Sequence, residues 1–369
     1  MRWHYPFFDE LSIDWPSKLR PALIAAAGAR SGAELHDTLL FLLAELRDNH
    51  AQVKHLSRSS AGIVPLSWRR ISDEIIVVGG TASALARVPV GSRIVEFDGI
   101  PAAEAYLSMD RRVSAATQGY RDSVTPFSMS LGQIGALKTF LVQPPTSGEN
   151  ETIALPYLDR EIFDPVVREP RPATGAILAD GIVYVDLEML DQAGWAAVLP
   201  KVLEAKAVVF DVRGYITNTA FGIMGHFTDT RLWSPTWQTP IIVATGTSGY
   251  QNSRWAVMPA QPRIDAKAFF LVDGRSGSAD ETLAQIVRDN RLGVFVGEPT
   301  AGTNGNIASF DVPCGFSVRF TGMRAIGADG ASIHGKGIVP EHVVKPTLSG
   351  IREGRDEVLE AAVAIAAGG

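Results

Sequence analysis

The sequence changes from strand-like to helix-like within Leu271–Asp289, which reads LVDGRSGSADETLAQIVRD. An apolar run at 268–271 leads into it, small and polar residues fill its middle, and apolar residues at helical spacing follow. This order predicts a buried strand, a tight turn and a helix. Ser276 and Ser278 lie in the turn, where a hydroxyl can either cap the helix or act as a nucleophile beside its free N–H groups.

Strand-like and helix-like runs alternate around this stretch from about residue 175 onward. GIVYVDLE (181–188) and AVVFDVRGY (207–215) look like buried strands, and GWAAVLPKVLEA (194–205) between them has helical spacing. Such alternation is typical of parallel strands flanked by helices. It predicts an α/β domain over 168–349, followed by a C-terminal helix within 350–369 that packs on it.

Two further regions precede this domain. Residues 1–58 carry apolar residues at three- and four-residue spacings, which predicts a helical region. Residues 59–167 contain short strand-like runs and the turn signal EFDGIP, which predicts a small β module. The proline-rich run EPRPATG then suggests a linker. The sequence therefore predicts an α/β multidomain protein.

Composition narrows the classes of function. The net charge of −6 and the absence of a Lys/Arg run argue against a nucleic-acid partner. No apolar run approaches the roughly 18 residues of a membrane span. The seven histidines show no metal-site pairing, and no phosphate-binding loop is present, so we expect neither a metal nor a cofactor. Cys314 is the single cysteine, which excludes an intrachain disulfide.

The run DGRSGSADETLAQIVRDNRLGVFVGEPTAG (273–302) resembles the core motif of the C-terminal-processing, or tail-specific, serine proteases. In that family a Ser-Ala-Ser-Ala-Ser-Glu-like run opens the helix, and a Gly-Glu-Pro-Thr-like loop follows the next strand. Other matches follow the family's order: LRDNH (46–50), VGSRIVEFDGIPA (90–102), AVVFDVRGY and HGKGIVPEHVV (334–344). The resemblance implies a crotonase-like (ClpP/crotonase) catalytic domain, a PDZ-like β module and hydrolysis of peptide bonds.

The resemblance also implies roles for residues of the turn. It places the nucleophile at Ser278, gives Ser276 a part in shaping the turn, and makes the Ala279 N–H an oxyanion donor. A second donor is expected from the loop after AVVFDVRG, near Thr217. Many relatives have a pair of glycines in that loop, whereas this chain reads GYITN at 214–218.

The general base departs from the commonest pattern of the family. The position that carries lysine in the Ser-Lys branch is Thr303 here, and no lysine lies between Lys267 and Lys336. The tricorn-like branch uses a histidine from the region before the PDZ-like module, which aligns with His50. Histidine suits this task because its unperturbed pKa is about 6.5. The competing interpretation of His50 is a histidine hydrogen-bonded at a helix end.

A third group is expected to orient the histidine. In the tricorn-like branch a glutamate near the Gly-Ile-x-Pro segment has this role, and the matching residue here is His334. Histidine is not a fixed anion, so His334 either hydrogen-bonds within the site or is itself the base. Asp48 and Glu298 are alternative partners for His50, and the sequence leaves the choice open.

The expected partner is a peptide or protein substrate. The alternative is a non-proteolytic binding protein for a small apolar ligand or a peptide, since the missing lysine and the altered glycine loop also fit a degenerate site. Many relatives act outside the cytoplasm, so the resemblance suggests a periplasmic or secreted protein, although the chain begins without a leader-like pattern. Oligomeric state stays open.

Overall fold

The computed structural model describes most of the chain. The described ranges are 1–55, 62–159, 171–179, 181–244 and 246–368. The region boundaries predicted at 58/59 and 167/168 lie outside these ranges, as does the start of the proposed linker.

The N-terminal region is helical only in its middle. Helices α1 (Trp15–Gly28) and α2 (Gly32–Ala44) pack against each other. Each begins at a side chain that accepts a backbone N–H of its first turn, Asp14 for α1 and Ser31 for α2. Beyond α2 the chain turns and forms strand β1 (Gln52–His55), where the sequence had suggested more helix.

Residues 62–159 form an antiparallel β module with three helices. Its elements are β2 (Gly62–Ile63), β3 (Leu66–Ile71), β4 (Glu74–Gly80), α3 (Ala82–Leu85), β5 (Arg93–Phe97), β6 (Ile100–Pro101), α4 (Ala102–Asp110), α5 (Gln118–Met129), β7 (Leu131–Gly132), β8 (Leu137–Gln143), β9 (Glu151–Pro156) and β10 (Leu158–Asp159). The main sheet has the order β3-β4-β5-β8-β9, which leaves β3 at an edge beside α5. Trp68, Phe97 and Phe140 meet edge to face in its core.

The rest of the chain is built on a parallel sheet. The elements are β11 (Ile182–Asp186), α6 (Gln192–Glu204), β12 (Ala207–Asp211), α7 (Thr219–Met224), β13 (Leu232–Trp233), β14 (Thr236–Val243), β15 (Gly246–Ser253), β16 (Ala256–Val257), β17 (Lys267–Val272), α8 (Ala279–Asn290), β18 (Val294–Gly297), β19 (Ile307–Val312), β20 (Phe316–Thr321), β21 (Arg324–Ile326), β22 (His342–Val343), α9 (Leu348–Arg352) and α10 (Glu357–Gly368). The parallel order is β11-β12-β17-β18-β22. The molecule is thus a mixed α/β multidomain protein, as predicted.

Helices cover both faces of this sheet. Alternate strand residues, such as Phe210 and Phe270, pack with α6, α7 and α8 on one face. Their neighbours Val209 and Leu271 pack with α10 on the other face. Strands buried on both faces read as continuous apolar runs, which is why the sequence revealed them. The turn at residues 273–278, which carries Ser276 and Ser278, follows the carboxyl end of β17.

A second sheet joins the N-terminal region to a later part of the chain, residues 307–321. Strand β1 pairs with β20, which also pairs with β19, and all these pairings are antiparallel. Their register places Gln52 opposite Arg319. Continued by two residues, it places His50 opposite Thr321. The N-terminal region therefore delivers His50 to the α/β domain.

Candidate active site

Ser278 lies where β17 passes into α8, in a conformation that few residues with a side chain adopt. Its backbone has φ of 57° and ψ of −109°. Its hydroxyl makes no cap hydrogen bond, so Ser278 does not cap the helix. Ser276 shapes the turn instead, because its Oγ donates to the Val212 carbonyl at 2.7 Å and accepts the Asp273 N–H at 3.2 Å.

The first residues of α8 surround Ser278 with polar groups. Ala279 begins the helix, so its N–H has no intrahelical acceptor and lies at the positive end of the helix dipole. The fully buried Asp280 accepts the Ile216 N–H at 2.9 Å and the Gly277 N–H at 3.0 Å. It thereby ties the loop after β12 to the turn at residues 273–278. Burial raises the pKa of Asp280 well above its usual range.

Glu281 fastens the loop that follows β18. Its carboxylate accepts the Thr300 hydroxyl at 2.5 Å, the Gly302 N–H at 2.7 Å and the Thr303 N–H at 2.8 Å. Burial raises the pKa of Glu281 to about 7, although these hydrogen bonds oppose the shift. Glu281 is thus a fully buried group that holds the loop after β18 in place.

Thr303, at the position where the Ser-Lys branch has lysine, connects Ser278 with the segment that carries His50. Its carbonyl accepts the Ser278 N–H at 3.0 Å. Its hydroxyl accepts the Asn49 N–H at 3.2 Å, and the Asn49 amide donates to the Ala301 carbonyl at 2.8 Å. No sequence pattern indicated this connection.

His50 is held by Thr321, which is distant in sequence, and by the nearby Asp48. Its Nδ1 lies 2.9 Å from the Thr321 hydroxyl, which donates to Asp48 Oδ1 at 2.7 Å. The backbone N–H groups of Thr321 and His50 also donate to Asp48, at 2.7 and 3.0 Å. Burial lowers the pKa of His50, and the charge of Asp48 opposes that shift. Because α2 ends at Ala44, His50 does not lie at a helix end.

His334 is also near this cluster but is deeply buried. Its Nε2 lies 3.1 Å from the Tyr5 hydroxyl, and its ring stacks on Phe7 with the centroids 3.6 Å apart. Its Nδ1 has no hydrogen-bond partner in the described part of the chain. Burial lowers the pKa of His334 to about 4, so the ring is neutral at pH 7. The charges of Asp48 and His50 also influence it.

The other candidates for the base or its partner face elsewhere. Glu298 lies 3.5 Å from Arg69 and 3.8 Å from Lys345. Lys336 is exposed on the surface. Of the two alternatives considered for orienting His50, Asp48 is the one whose carboxylate contacts the His50 segment.

The loop after β12 offers different N–H groups from the one suggested by sequence. The Thr217 N–H donates to the Leu187 carbonyl at 3.2 Å, and its hydroxyl donates to the carbonyl of Leu190. The N–H groups of Gly214 and Tyr215 have no acceptor within the described ranges. A Cβ at Gly214 would overlap the carboxylate of Glu188, so any larger residue there would displace that side chain.

A buried ion cluster supports the start of this loop. Arg213 contacts Asp211 at 2.7 Å and Asp356, just before α10, at 2.6 Å. Burial would raise the pKa of Asp211, but Arg213 and Arg171 lower it to about 2. The Asp-x-Arg strand of the resemblance is thus a structural link between β12 and α10.

A cleft of about 620 Å³ lies between β3, α5 and the loop after β12. One wall is the edge of β3, a second is α5, and the third contains Gly214, Tyr215 and Arg275. Apolar side chains such as Leu66 and Phe127 line it alongside arginines and Glu188. The cleft is therefore suited to an extended chain with both apolar and polar groups.

Over the described ranges, no three His, Cys, Asp or Glu side chains are grouped so as to hold a metal ion. In the same residues, no helix is long and apolar enough to cross a membrane.

Comparisons with known proteins agree with this architecture. Residues 181–344 match peptidase family S41. The chloroplastic carboxyl-terminal-processing peptidase 1 of Arabidopsis thaliana is 20% identical over 94% of this chain and 71% of its own length.

Solved structures share the fold at low sequence identity. Mature CPAF has a TM-score of 0.75 at 14% identity, covering 99% of this chain and 93% of its own. A peptidase from Parabacteroides merdae has a TM-score of 0.60 at 19% identity, covering 99% and 93%. The photosystem II D1 C-terminal processing protease has a TM-score of 0.51 at 17% identity, covering 97% and 95%. Residues 181–344 thus match a peptidase family S41 domain, and the chain is similar over most of its length to a carboxyl-terminal-processing peptidase.

Proposed function

We propose that the chain is a serine peptidase in which Ser278 attacks the scissile carbonyl. The observation that carries this proposal is the strained backbone of Ser278 at a strand-to-helix turn, with a hydroxyl that caps nothing. Such turns present a nucleophile beside N–H groups that can hold an oxyanion. The family match supports a proteolytic activity for this domain.

Acylation needs one general base and two N–H groups that donate hydrogen bonds to the oxyanion. His50 Nε2 takes the proton of Ser278 Oγ as the Oγ–C bond forms, and the carbonyl oxygen becomes an oxyanion. The Ala279 N–H is one donor, and we assign the second to Tyr215 or Gly214 in place of Thr217, whose donors are occupied. His50 then gives its proton to the leaving amine as the C–N bond breaks.

Deacylation repeats these steps with water. His50 takes a proton from the water as its oxygen attacks the acyl carbon, and returns it to Ser278 Oγ as the ester bond breaks. Thr303 supports both acylation and deacylation, because Ser278 and Asn49 are both hydrogen-bonded to it.

The substrate is proposed to lie in the cleft beside β3. An edge strand offers unpaired N–H and C=O groups, to which an extended peptide can add as a further strand. The neighbouring α5 would contact its side chains. On this proposal residues 62–159 act as a PDZ-like module, and the parallel sheet with its helices is a crotonase-like catalytic domain.

A fluorophosphonate probe followed by mass mapping tests the nucleophile. We expect label on Ser278 of the wild-type protein, none on Ser278→Ala, and a rate reduced at least about 100-fold in His50→Gln. Ser147→Ala, at an exposed serine of the β8–β9 connection, is the control and should label normally. Label on Ser278 that persists at full rate in His50→Gln would remove His50 as the base and direct attention to His334.

A peptide-cleavage assay separates the enzyme from the binding-protein alternative. Cleavage that Ser278→Ala abolishes supports the peptidase. A folded wild-type protein that takes no label and binds peptides without cleaving them would contradict the peptidase and establish the alternative.

A further inference from the structure

We propose that Thr321 is a positioning residue that sets the tautomer of His50 and couples the ring to the charge of Asp48. This inference deepens the proposed function, since it rests on His50 as the base. No feature of the sequence marks Thr321 for this role. It is a fully buried threonine at the end of β20.

Counting protons fixes the direction of each hydrogen bond. The Asp48 carboxylate is only an acceptor, so the single hydroxyl proton of Thr321 is donated to Asp48 Oδ1 at 2.7 Å. The hydroxyl oxygen can then only accept from His50 Nδ1, 2.9 Å away. His50 must therefore carry its proton on Nδ1, which leaves the Nε2 lone pair for Ser278. This is the tautomer that a general base at Nε2 requires.

The backbone holds this chain of groups in place. The β1–β20 register brings Thr321 opposite His50. Asp48 is in turn held by the backbone N–H groups of His50 and Thr321, and its own N–H donates to the Ser114 hydroxyl at 2.9 Å. Orientation of the ring thus depends on main-chain geometry in three segments.

His334 does not fill this position. The Tyr5 hydroxyl donates to the Leu46 carbonyl at 2.6 Å, so it must accept from His334 Nε2, 3.1 Å away. His334 consequently holds its proton on Nε2 and is neutral. A neutral ring offers no fixed charge to balance the imidazolium that His50 becomes, whereas Asp48 does so through Thr321.

Nitrogen NMR of ¹⁵N-histidine-labelled protein tests the tautomer without any assay of activity. His50 is assigned by comparison with His50→Gln. We expect a protonated Nδ1 and a bare Nε2 for neutral His50 in the wild type and in Thr321→Ser, which keeps the hydroxyl. In Thr321→Val we expect a shift toward the Nε2-protonated form. A wild-type His50 protonated on Nε2 would overturn the proposal.

Labelling rates across pH test the consequence for reactivity. We expect Thr321→Val to lower the plateau rate of fluorophosphonate labelling at least roughly tenfold and Thr321→Ser to stay within about threefold. Loss of the acceptor destabilises the imidazolium, so the acid limb of Thr321→Val should move to lower pH. The ionisable groups facing His50 are Asp48 and His334, and both variants leave them unchanged.

The outcomes distinguish this proposal from the one it rests on. Equal rates and equal acid limbs in all three proteins would overturn the role of Thr321 while the nucleophile stands. An unlabelled wild type whose His50 carries its proton on Nδ1 would overturn the nucleophile while supporting the hydrogen-bond chain. Circular dichroism and thermal melts of the folded variants accompany both measurements.

Discussion

The N–H of Ser278 donates to the carbonyl of Thr303 at 3.0 Å, and Thr303 is almost completely buried. The hydroxyl of the Thr303 side chain accepts the N–H of Asn49 at 3.2 Å. One residue thus holds Ser278, the proposed nucleophile, through its main chain and the segment of His50, the proposed base, through its side chain.

Replacing Thr303 by valine should therefore weaken the site without touching Ser278 or His50. The buried Asn49 N–H would lose its acceptor, which costs about 1–3 kcal/mol of unfolding free energy. A displaced His50 should lower the labelling rate at least about tenfold. Thr303→Ser keeps the hydroxyl and should restore both quantities. Urea denaturation and probe labelling provide the measurements, and equal values for valine and serine would contradict this role.

Asp280→Asn should loosen the loop after β12. An asparagine side chain has one acceptor oxygen, so the Ile216 or Gly277 N–H would face an NH₂ group. We expect labelling to slow at least about tenfold at high pH. Asparagine also mimics the protonated Asp280, because protonation converts one of the two acceptor oxygens of the carboxylate into a donor. The raised pKa of Asp280 therefore predicts that the gap between wild type and variant closes as pH falls.

The exposed Asp311, changed to Asn, is the control for this experiment and should label like the wild type at every pH. A gap between wild type and Asp280→Asn that stays constant with pH would show that Asp280 does not titrate in the folded protein.

Glu281 should make the fold less stable as pH rises. Its pKa of about 7 in the folded protein exceeds its unfolded value, so the folded state holds the proton more tightly. Its contribution to unfolding free energy is then full below about pH 4.5 and falls by about 3 kcal/mol as pH rises through 7. Glu281→Gln lacks this titration. Urea unfolding of both proteins at pH 5 and 8 should show the wild type losing its relative advantage at pH 8.

His334 should have the opposite pH dependence. Its pKa of about 4 lies below the unfolded value of about 6.5, so the unfolded state binds the proton first. The associated stability is present above pH 6.5 and falls by up to about 3 kcal/mol as pH drops through 4. His334→Phe removes the contribution of this titration to the unfolding free energy. On acidification from pH 7 to 4.5 the wild type should lose more unfolding free energy than His334→Phe, and a parallel decline would refute the shift.

Much of the α/β domain was readable from the sequence. The strands at 182–186, 207–211 and 267–272 are apolar on both faces, which is typical of parallel strands covered by helices. β1 was not foreseen, because four residues reading QVKH lack a buried face of their own. That strand exists because β20, more than 260 residues later in the chain, pairs with it.

The candidate site was readable only in part. The strand–turn–helix order around Ser278 and the missing lysine at Thr303 directed attention to the nucleophile and to His50. The expected donor at Thr217 was misplaced, because its N–H and hydroxyl bond to the carbonyls of Leu187 and Leu190. Loop conformation decides which N–H groups stay free, and residue type alone does not encode it.

The sequence by itself determined the layered α/β domain, the turn that carries Ser278 and the absence of the usual lysine, because each follows from local order and composition. The tertiary structure decided which groups surround His50. The β1–β20 register brings Thr321 to His50 and Asp48, and Thr303 links the neighbouring Asn49 to Ser278. Hydrogen bonds between residues some 270 positions apart depend on the folded backbone, which brings their atoms within 3 Å.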